Sequence, residues 1–84
     1  MTEVEFKRII REIEAEGFEV KYASFDDIWD YAHHIHVYGV LRIQFHKEGR
    51  LSLETGTKSW RSQELRRKKI SEQDRVLEIV EKYL

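Results

Sequence analysis

Positive charge is concentrated in one short part of this chain. Residues 58–69, here called the basic segment, hold six basic side chains and one acidic side chain: Lys58, Arg61, Arg66, Arg67, Lys68, Lys69 and Glu64. The whole chain has 15 Lys and Arg against 16 Asp and Glu, which leaves about nine basic and 15 acidic residues elsewhere. An acidic body with a basic segment is typical of a polyanion-binding protein.

The basic segment has the chemistry of a nucleic-acid contact. Lys and Arg bind backbone phosphates and release counterions, and the Arg fork grips phosphate at two points. Trp60, if exposed, can stack on an unpaired base. We therefore predict a binding site for DNA or RNA, with Trp60 as the stacking group and the basic residues contacting phosphate; its residues are Lys58, Trp60, Arg61, Arg66, Arg67, Lys68 and Lys69. The alternative is that Arg66–Lys69 ends a short helix and complements its dipole, or pairs with the acidic body.

Histidines and aspartates form a second cluster that could bind metal. His33, His34 and His36 are close in sequence, and His34 and His36 would share one face of a strand. Their spacing matches no standard zinc pattern, so we expect no metal site and no cofactor.

Catalysis is not indicated by any motif. Asp26, Asp27 and Asp30 could hold Mg²⁺ with the histidines, but two of them suit the first turn of a helix. The chain lacks a cysteine nucleophile and a Gly-rich phosphate loop, and a domain of this size rarely encloses a metabolite pocket. We expect no enzymatic activity.

The composition limits the class of protein. Residues 1–84 are expected to form one small domain, which buries ~60% of its unfolded surface. The chain has no Cys and no Asn and is rich in Glu, Lys and Arg, as thermophile proteins are, although its lack of Pro is not typical of them. No apolar run spans a membrane and the first residues are acidic, so we expect a cytoplasmic protein without a membrane partner.

The N-terminal part of the chain predicts a helix, a strand and a short second helix. Thr2-x-x-Glu5 is a capping box, and Gly17 suits a helix end. The apolar stripe that follows the cap is Phe6, Ile9, Ile10 and Ile13. Alternation then predicts a strand with Phe18, Val20 and Tyr22 facing the core. Helical spacing within residues 24–34 predicts the short helix from Phe25, Ile28, Trp29 and Ala32.

Residues 36–55 are predicted to form a β-hairpin. Val37, Leu41, Ile43 and Phe45 would share its buried face, and Gly49 would take a positive φ in the turn. The expected register pairs His46 with Arg50, Phe45 with Leu51, Ile43 with Leu53, and Arg42 with Glu54.

The last helix is predicted to begin at Ser71. Its apolar stripe would be Val76, Ile79, Val80 and Tyr83, extended by Leu77 and Leu84. The expected fold is an α+β two-layer sandwich. It has a three-stranded, mainly antiparallel sheet, with the N- and C-terminal helices on one face and a short helix between strands 1 and 2.

The predicted order of elements is similar to that of double-stranded RNA-binding domains. Gly56-Thr57-Lys58-Ser59 follows the third predicted strand, where those domains place a Gly-Ser-Lys-Lys-type phosphate-binding segment. The adjacent lysines here are instead Lys68 and Lys69, and the Ala-rich second helix is missing. The similarity is one of element order and does not indicate membership of that family.

Two functions are consistent with these features. The first is a small non-catalytic domain that contacts nucleic-acid phosphate through the basic segment. The second is a protein-interaction or homodimerisation module. It would use an outer sheet face formed by Tyr38 and Val40 and extended by Trp29 and Tyr31.

Overall fold

The computed structural model describes residues 1–25, 33–46, 49–55 and 63–84, with only the backbone of residues 63–66. In chain order its elements are α1 (Glu3–Ala15), β1 (Val20–Ser24), β2 (His33–Val37), β3 (Leu41–Phe45), β4 (Leu51–Glu54) and α2 (Gln63–Glu81). The four strands form one antiparallel sheet in the order β1-β2-β3-β4. The α+β class and the antiparallel sheet are as predicted, but the sheet has four strands rather than three.

The core lies between one face of the sheet and the two helices. Helix α1 contributes Phe6, Ile9 and Ile13, and α2 contributes Val76, Ile79 and Val80. The sheet contributes Ile35, Val37, Leu41, Ile43 and Phe45, and Val40 joins them from the β2–β3 turn. Because these side chains are almost wholly removed from water, burial of apolar surface is the main force that holds the layers together.

Helix α1 forms as the sequence predicts. Thr2 Oγ1 accepts a hydrogen bond from Glu5 N at 3.1 Å, and Glu5 Oε1 accepts one from Thr2 N at 3.0 Å. This reciprocal pair satisfies two N–H groups that the first turn leaves without partners. Gly17 follows the helix with φ at +92°.

The β3–β4 hairpin has the predicted register. Arg42 pairs with Glu54, Ile43 with Leu53 and Phe45 with Leu51, and His46 N donates to Arg50 O at 2.8 Å. Gly49 has φ at +74°. A slip of one residue would turn Ile43 and Phe45 toward water, so burial fixes this register.

The first strand of the predicted hairpin, which was expected to run from His36 without interruption, is broken by a turn into β2 and β3, and this gives the sheet its fourth strand. Gly39 has φ at +70°, and Val40 N donates to Val37 O across the turn. The prediction that Val40 lies on the outer face is wrong: the turn changes the alternation, and Val40 is buried. Tyr38 is exposed, as predicted.

The short helix predicted over residues 24–34 is contradicted at both of its ends. Ser24 is the last residue of β1, and His33 and His34 are the first residues of β2. Ser24 pairs with His34 across these strands, and this strand pairing is favoured over the helix that the local spacing predicts. Residues 26–32, which include Trp29 and Tyr31, lie outside the described residues.

Tyr22 also departs from its prediction. A register shift between Val20 and Tyr22 interrupts the alternation of β1, so Val20 packs against the core while Tyr22 pairs with His36 on the opposite face. A register shift of this kind changes the face of the sheet to which the following side chains point.

Helix α2 begins eight residues before the predicted Ser71. The sequence of residues 63–70 has no apolar stripe at helical spacing, which is why the pattern did not predict a helix there. It consists of good helix formers without Gly or Pro, so propensity extends the helix through the basic residues. The predicted stripe from Val76 to Tyr83 is confirmed, whereas Leu84 is exposed. No helix over residues 1–25, 33–46, 49–55 and 63–84 is long and apolar enough to cross a bilayer.

Candidate nucleic-acid interface

The second half of the basic segment is helical. Arg66–Lys69, here called the basic run, are the fourth to seventh residues of α2. Arg67 and Lys68 are exposed, and Lys69 is partly buried. The side chain of Arg66, together with Lys58, Trp60 and Arg61, lies outside the described residues, so their predicted roles stay predictions.

The expectation that the basic run ends a short helix is wrong. Lys69 is 12 residues before Glu81, the last residue of α2, which corresponds to ~18 Å along the axis. The effect of a helix dipole on a charge is confined to the terminal turns. The dipole of α2 therefore gives no reason for four basic residues at this position.

Ion pairs account for only part of the basic run. Lys69 Nζ lies 3.8 Å from Glu72 Oε2 on the next turn. Within the described part of the chain, Arg67 and Lys68 have no acidic partner. The acidic side chains Glu12 and Glu16 are instead engaged by Lys82 and Arg75, nearer the C-terminal end of α2. Arg67 and Lys68 are thus exposed cations for which the described residues provide no counter-charge.

The β2–β3 turn lies beside the basic run. Gln73 Nε2 donates to Val40 O at 3.2 Å. A Cβ atom placed on Gly39 would lie 3.4 Å from Lys69 Nζ. On the other side of the turn, Lys21 Nζ is 5.3 Å from the centre of the Tyr38 ring, within the range of a cation–π contact. The exposed Tyr38 ring therefore has a cation from β1 beside it, and Gly39, the next residue, has a cation from α2 beside it.

The outer face of the sheet, which is the face turned away from the helices, has two rows of mainly polar residues that cross all four strands, one nearer the β2–β3 turn than the other. The nearer row is Tyr22, His36, Arg42 and Glu54, and the next is Ser24, His34, Gln44 and Ser52. Residues directly opposite each other point to the same side, so each row is one line of neighbouring side chains. Side chains of both rows line a depression of about 490 Å³.

The nearer row has one positive charge, on Arg42, and one negative charge, on Glu54. Arg42 Nη1 lies 3.8 Å from Glu54 Oε2, and both side chains are exposed, so the pair adds little stability. Partial burial lowers the pKa of His36, and the charges of Arg42 and Lys21 lower it further. His36 is therefore a neutral ring at pH 7.

The histidines do not form one metal site. His34 and His36 share the outer face as predicted, but His33 lies on the core side, with its ring centre 4.0 Å from that of Phe25. His46 Nε2 is 2.7 Å from Ser52 Oγ. Among the residues that the structure describes, no three His, Cys, Asp or Glu side chains are placed to hold a metal ion. Asp26, Asp27 and Asp30 lie outside them.

No protein-family model matches the sequence, and no curated protein or solved structure shows significant similarity to the chain. The four-stranded order also differs from the three-stranded order on which the similarity to double-stranded RNA-binding domains depended. Any function must therefore be argued from the exposed side chains and their arrangement.

The sequence pattern did not find the outer-face rows. Tyr22 was predicted to face the core, and an isolated polar residue on a strand, such as Ser52, is too common to indicate a site. The one signal available was the hairpin register, which aligns Arg42 with Glu54 and Gln44 with Ser52. Extending it to β1 and β2 required the turn at Gly39 and the shift in β1.

Proposed function

We propose that this protein is a non-catalytic binding domain that holds nucleic acid by its phosphates through the basic segment. The observation that carries the proposal is the exposure of Arg67 and Lys68 on α2 without an acidic partner among the described residues. Neither the core nor the helix dipole requires basic side chains there. A backbone phosphate supplies the missing negative charge.

The surroundings of the basic run support the same partner. Lys69, the last residue of the run, lies at Gly39 in the β2–β3 turn, and Lys21 and the exposed Tyr38 ring form a cation–π contact at the same turn. Cations interleaved with an aromatic ring are the combination that binds nucleic-acid backbones and stacks on bases. Lys58, Trp60 and Arg61, which precede α2 in the chain, would add to the same surface.

The competing proposal is a protein-interaction or homodimerisation module that uses Trp29, Tyr31 and Tyr38. Trp29 and Tyr31 lie outside the described residues, and Val40 is buried rather than available to such a patch. The outer face seen in the described strands is mainly polar. An interface core is usually depleted of charge and enriched in large apolar residues, so this face favours the nucleic-acid proposal.

A charge-reversal experiment tests the proposal. Arg67→Glu/Lys68→Glu should weaken binding of a fluorescent oligonucleotide at low salt by at least ~10-fold, because two attractive phosphate contacts become repulsive. Fluorescence anisotropy measures the affinity, and circular dichroism checks that α2 still forms. Absence of binding by the unchanged protein to any nucleic acid at low salt would overturn the proposal.

The matched control reverses two exposed arginines on α1, Arg8→Glu/Arg11→Glu, and produces the same change in net charge. The positive charge of Arg8 has a lowering effect on the pKa of Tyr83, so Arg8 lies near the C-terminal end of α2. Glu81, the last residue of α2, is 14 residues from Arg67, or ~21 Å along the helix. Binding by this variant should stay close to that of the unchanged protein. Equal loss in both variants would show that net charge alone, and not the basic run, sets the affinity.

A further inference from the structure

The open face of the sheet carries a combination of groups that phosphate binding by α2 does not use. Its nearer row offers two rings side by side, because Tyr22 is directly opposite His36. The next row offers hydrogen-bonding groups, with His34 opposite Gln44 and Gln44 opposite Ser52. Rings beside amide and hydroxyl groups are what an unpaired nucleobase requires, since a base has flat faces and polar edges.

Three properties of these side chains suit base recognition. Tyr22 is 57% exposed although it lies within a strand, so its ring is accessible. His36 is neutral at pH 7, because burial and the charges of Arg42 and Lys21 lower its pKa, and a neutral ring stacks without carrying charge. Gln44 has both a donor and an acceptor, and it makes no hydrogen bond to another side chain within the described part of the structure.

The outer face and the basic run meet at the β2–β3 turn, although α2 itself packs on the opposite face of the sheet. The strands that carry Tyr22 and His36 lead directly to Lys21 and Tyr38, which form the cation–π pair at the β2–β3 turn. Lys69 reaches Gly39 in the same turn. Adjacent strands are ~4.8 Å apart and same-face residues on one strand ~6.8 Å apart, so a few nucleotides cover the distance from turn to second row.

We propose that the outer face binds the unpaired bases of a single nucleic-acid strand whose phosphates are held by the basic run. Tyr22 and His36 would stack on bases, and Gln44 and Ser52 would donate to and accept from base edges. This inference rests on the proposed function and adds a class of ligand to it. A duplex is disfavoured, because its bases are stacked inside the helix and present no face to a ring.

The test compares three probes of equal length: oligouridylate, oligothymidylate and a mixed-sequence duplex. Tyr22→Ala should weaken binding of the single strands by about five- to 150-fold, the effect of removing one base–aromatic stack. Tyr22→Phe keeps the ring and should retain the affinity. Neither variant should change the salt dependence, because the Tyr22 ring contacts no phosphate.

A measurement on the unchanged protein accompanies the variants in case Tyr22→Ala perturbs the fold. Oligouridylate should shift the imidazole resonances of His34 and His36 in the NMR spectrum, while those of His33, on the core side, move less. Tighter binding of oligouridylate than of oligothymidylate would indicate contacts to the 2′-hydroxyl. Equal binding of the two would show a site for single strands of RNA and DNA alike.

The outcomes separate this inference from the proposed function. If single strand and duplex bind equally, Tyr22→Ala has no effect, and Arg67→Glu/Lys68→Glu still weakens binding, then the base site is overturned while phosphate binding stands. If no probe binds, both are overturned. If Tyr22→Ala instead converts a dimer to a monomer in sedimentation, the face is a protein interface and the base site is overturned.

Discussion

The side-chain amide of Gln73 donates a 3.2 Å hydrogen bond to the main-chain carbonyl of Val40, linking α2 to the β2–β3 turn. This contact joins the two parts of the proposed surface, because α2 carries the basic run and the turn leads to the outer-face rows. The Val40 side chain is buried in the core, so both its side chain and its carbonyl group hold the turn in place. The basic run therefore has a defined position relative to the sheet.

Loss of the Gln73 contact should destabilise the fold measurably. Gln73→Ala removes a partly buried hydrogen bond, so we expect a loss of about 1 kcal/mol, or about 4–8 °C in Tm for a domain of this size. The matched control is Gln44→Ala, which makes the same substitution at an exposed position of β3 and should change Tm by much less. Equal shifts in the two variants, measured by thermal denaturation, would contradict the assignment.

The ion pairs between the helices should make stability fall in acid. Lys82 Nζ donates to Glu12 Oε1 at 2.6 Å and, with the Tyr83 hydroxyl, lowers the pKa of Glu12, while Arg75 lowers that of Glu16. A carboxyl whose pKa is lower in the folded state contributes stability above its ordinary value of 4.5 and loses it as pH falls through the folded value. We expect stability to change little from about pH 7 to 5 and to decline below about pH 4.5.

Glu12→Gln isolates one of these carboxylates. The variant should be less stable than the unchanged protein at pH 7, but the difference should shrink as the pH falls, because the lost ion pair is absent in acid in both proteins. Urea denaturation at several pH values measures this. Glu14→Gln is the control, because Glu14 is exposed and has no cationic partner among the residues described. A pH-independent difference for Glu12→Gln would contradict the account.

The β3–β4 turn should tolerate asparagine better than alanine. Gly49 has φ at +74°, a conformation that costs an L-residue roughly 1–2 kcal/mol but that Asn adopts more readily. Among the residues that the structure describes, no atom would contact a new Cβ at this position, so backbone strain is expected to set the effect. Gly49→Ala should therefore lower Tm more than Gly49→Asn. The reverse order would show that φ is not the constraint at this position.

The elements that the sequence predicted well are those in which local and long-range signals agree. In α1 the capping box and the apolar stripe specify the same helix. In the β3–β4 hairpin, turn chemistry, burial and the Arg42–Glu54 pair all favour one register. Agreement between levels is what makes a sequence interpretable without a structure.

The errors arose where tertiary pairing overrode a local pattern. Helical spacing near Ser24 and His34 was outweighed by their pairing across β1 and β2. The turn at Gly39 was missed because continuous apolar residues flank it, and the first half of α2 because it buries no described side chain. The basic run was found from charge alone, but its place in the interior of a long helix required the structure.

The central claim is most directly tested by the salt dependence of single-strand binding. For the unchanged protein, the logarithm of the affinity for oligouridylate should fall linearly with the logarithm of salt concentration, by ~0.7 for each phosphate contacted. Arg67→Glu/Lys68→Glu should reduce this slope by about 1.4, the contribution of two phosphates. An affinity independent of salt, or a slope unchanged in the variant, would contradict phosphate binding by the basic run.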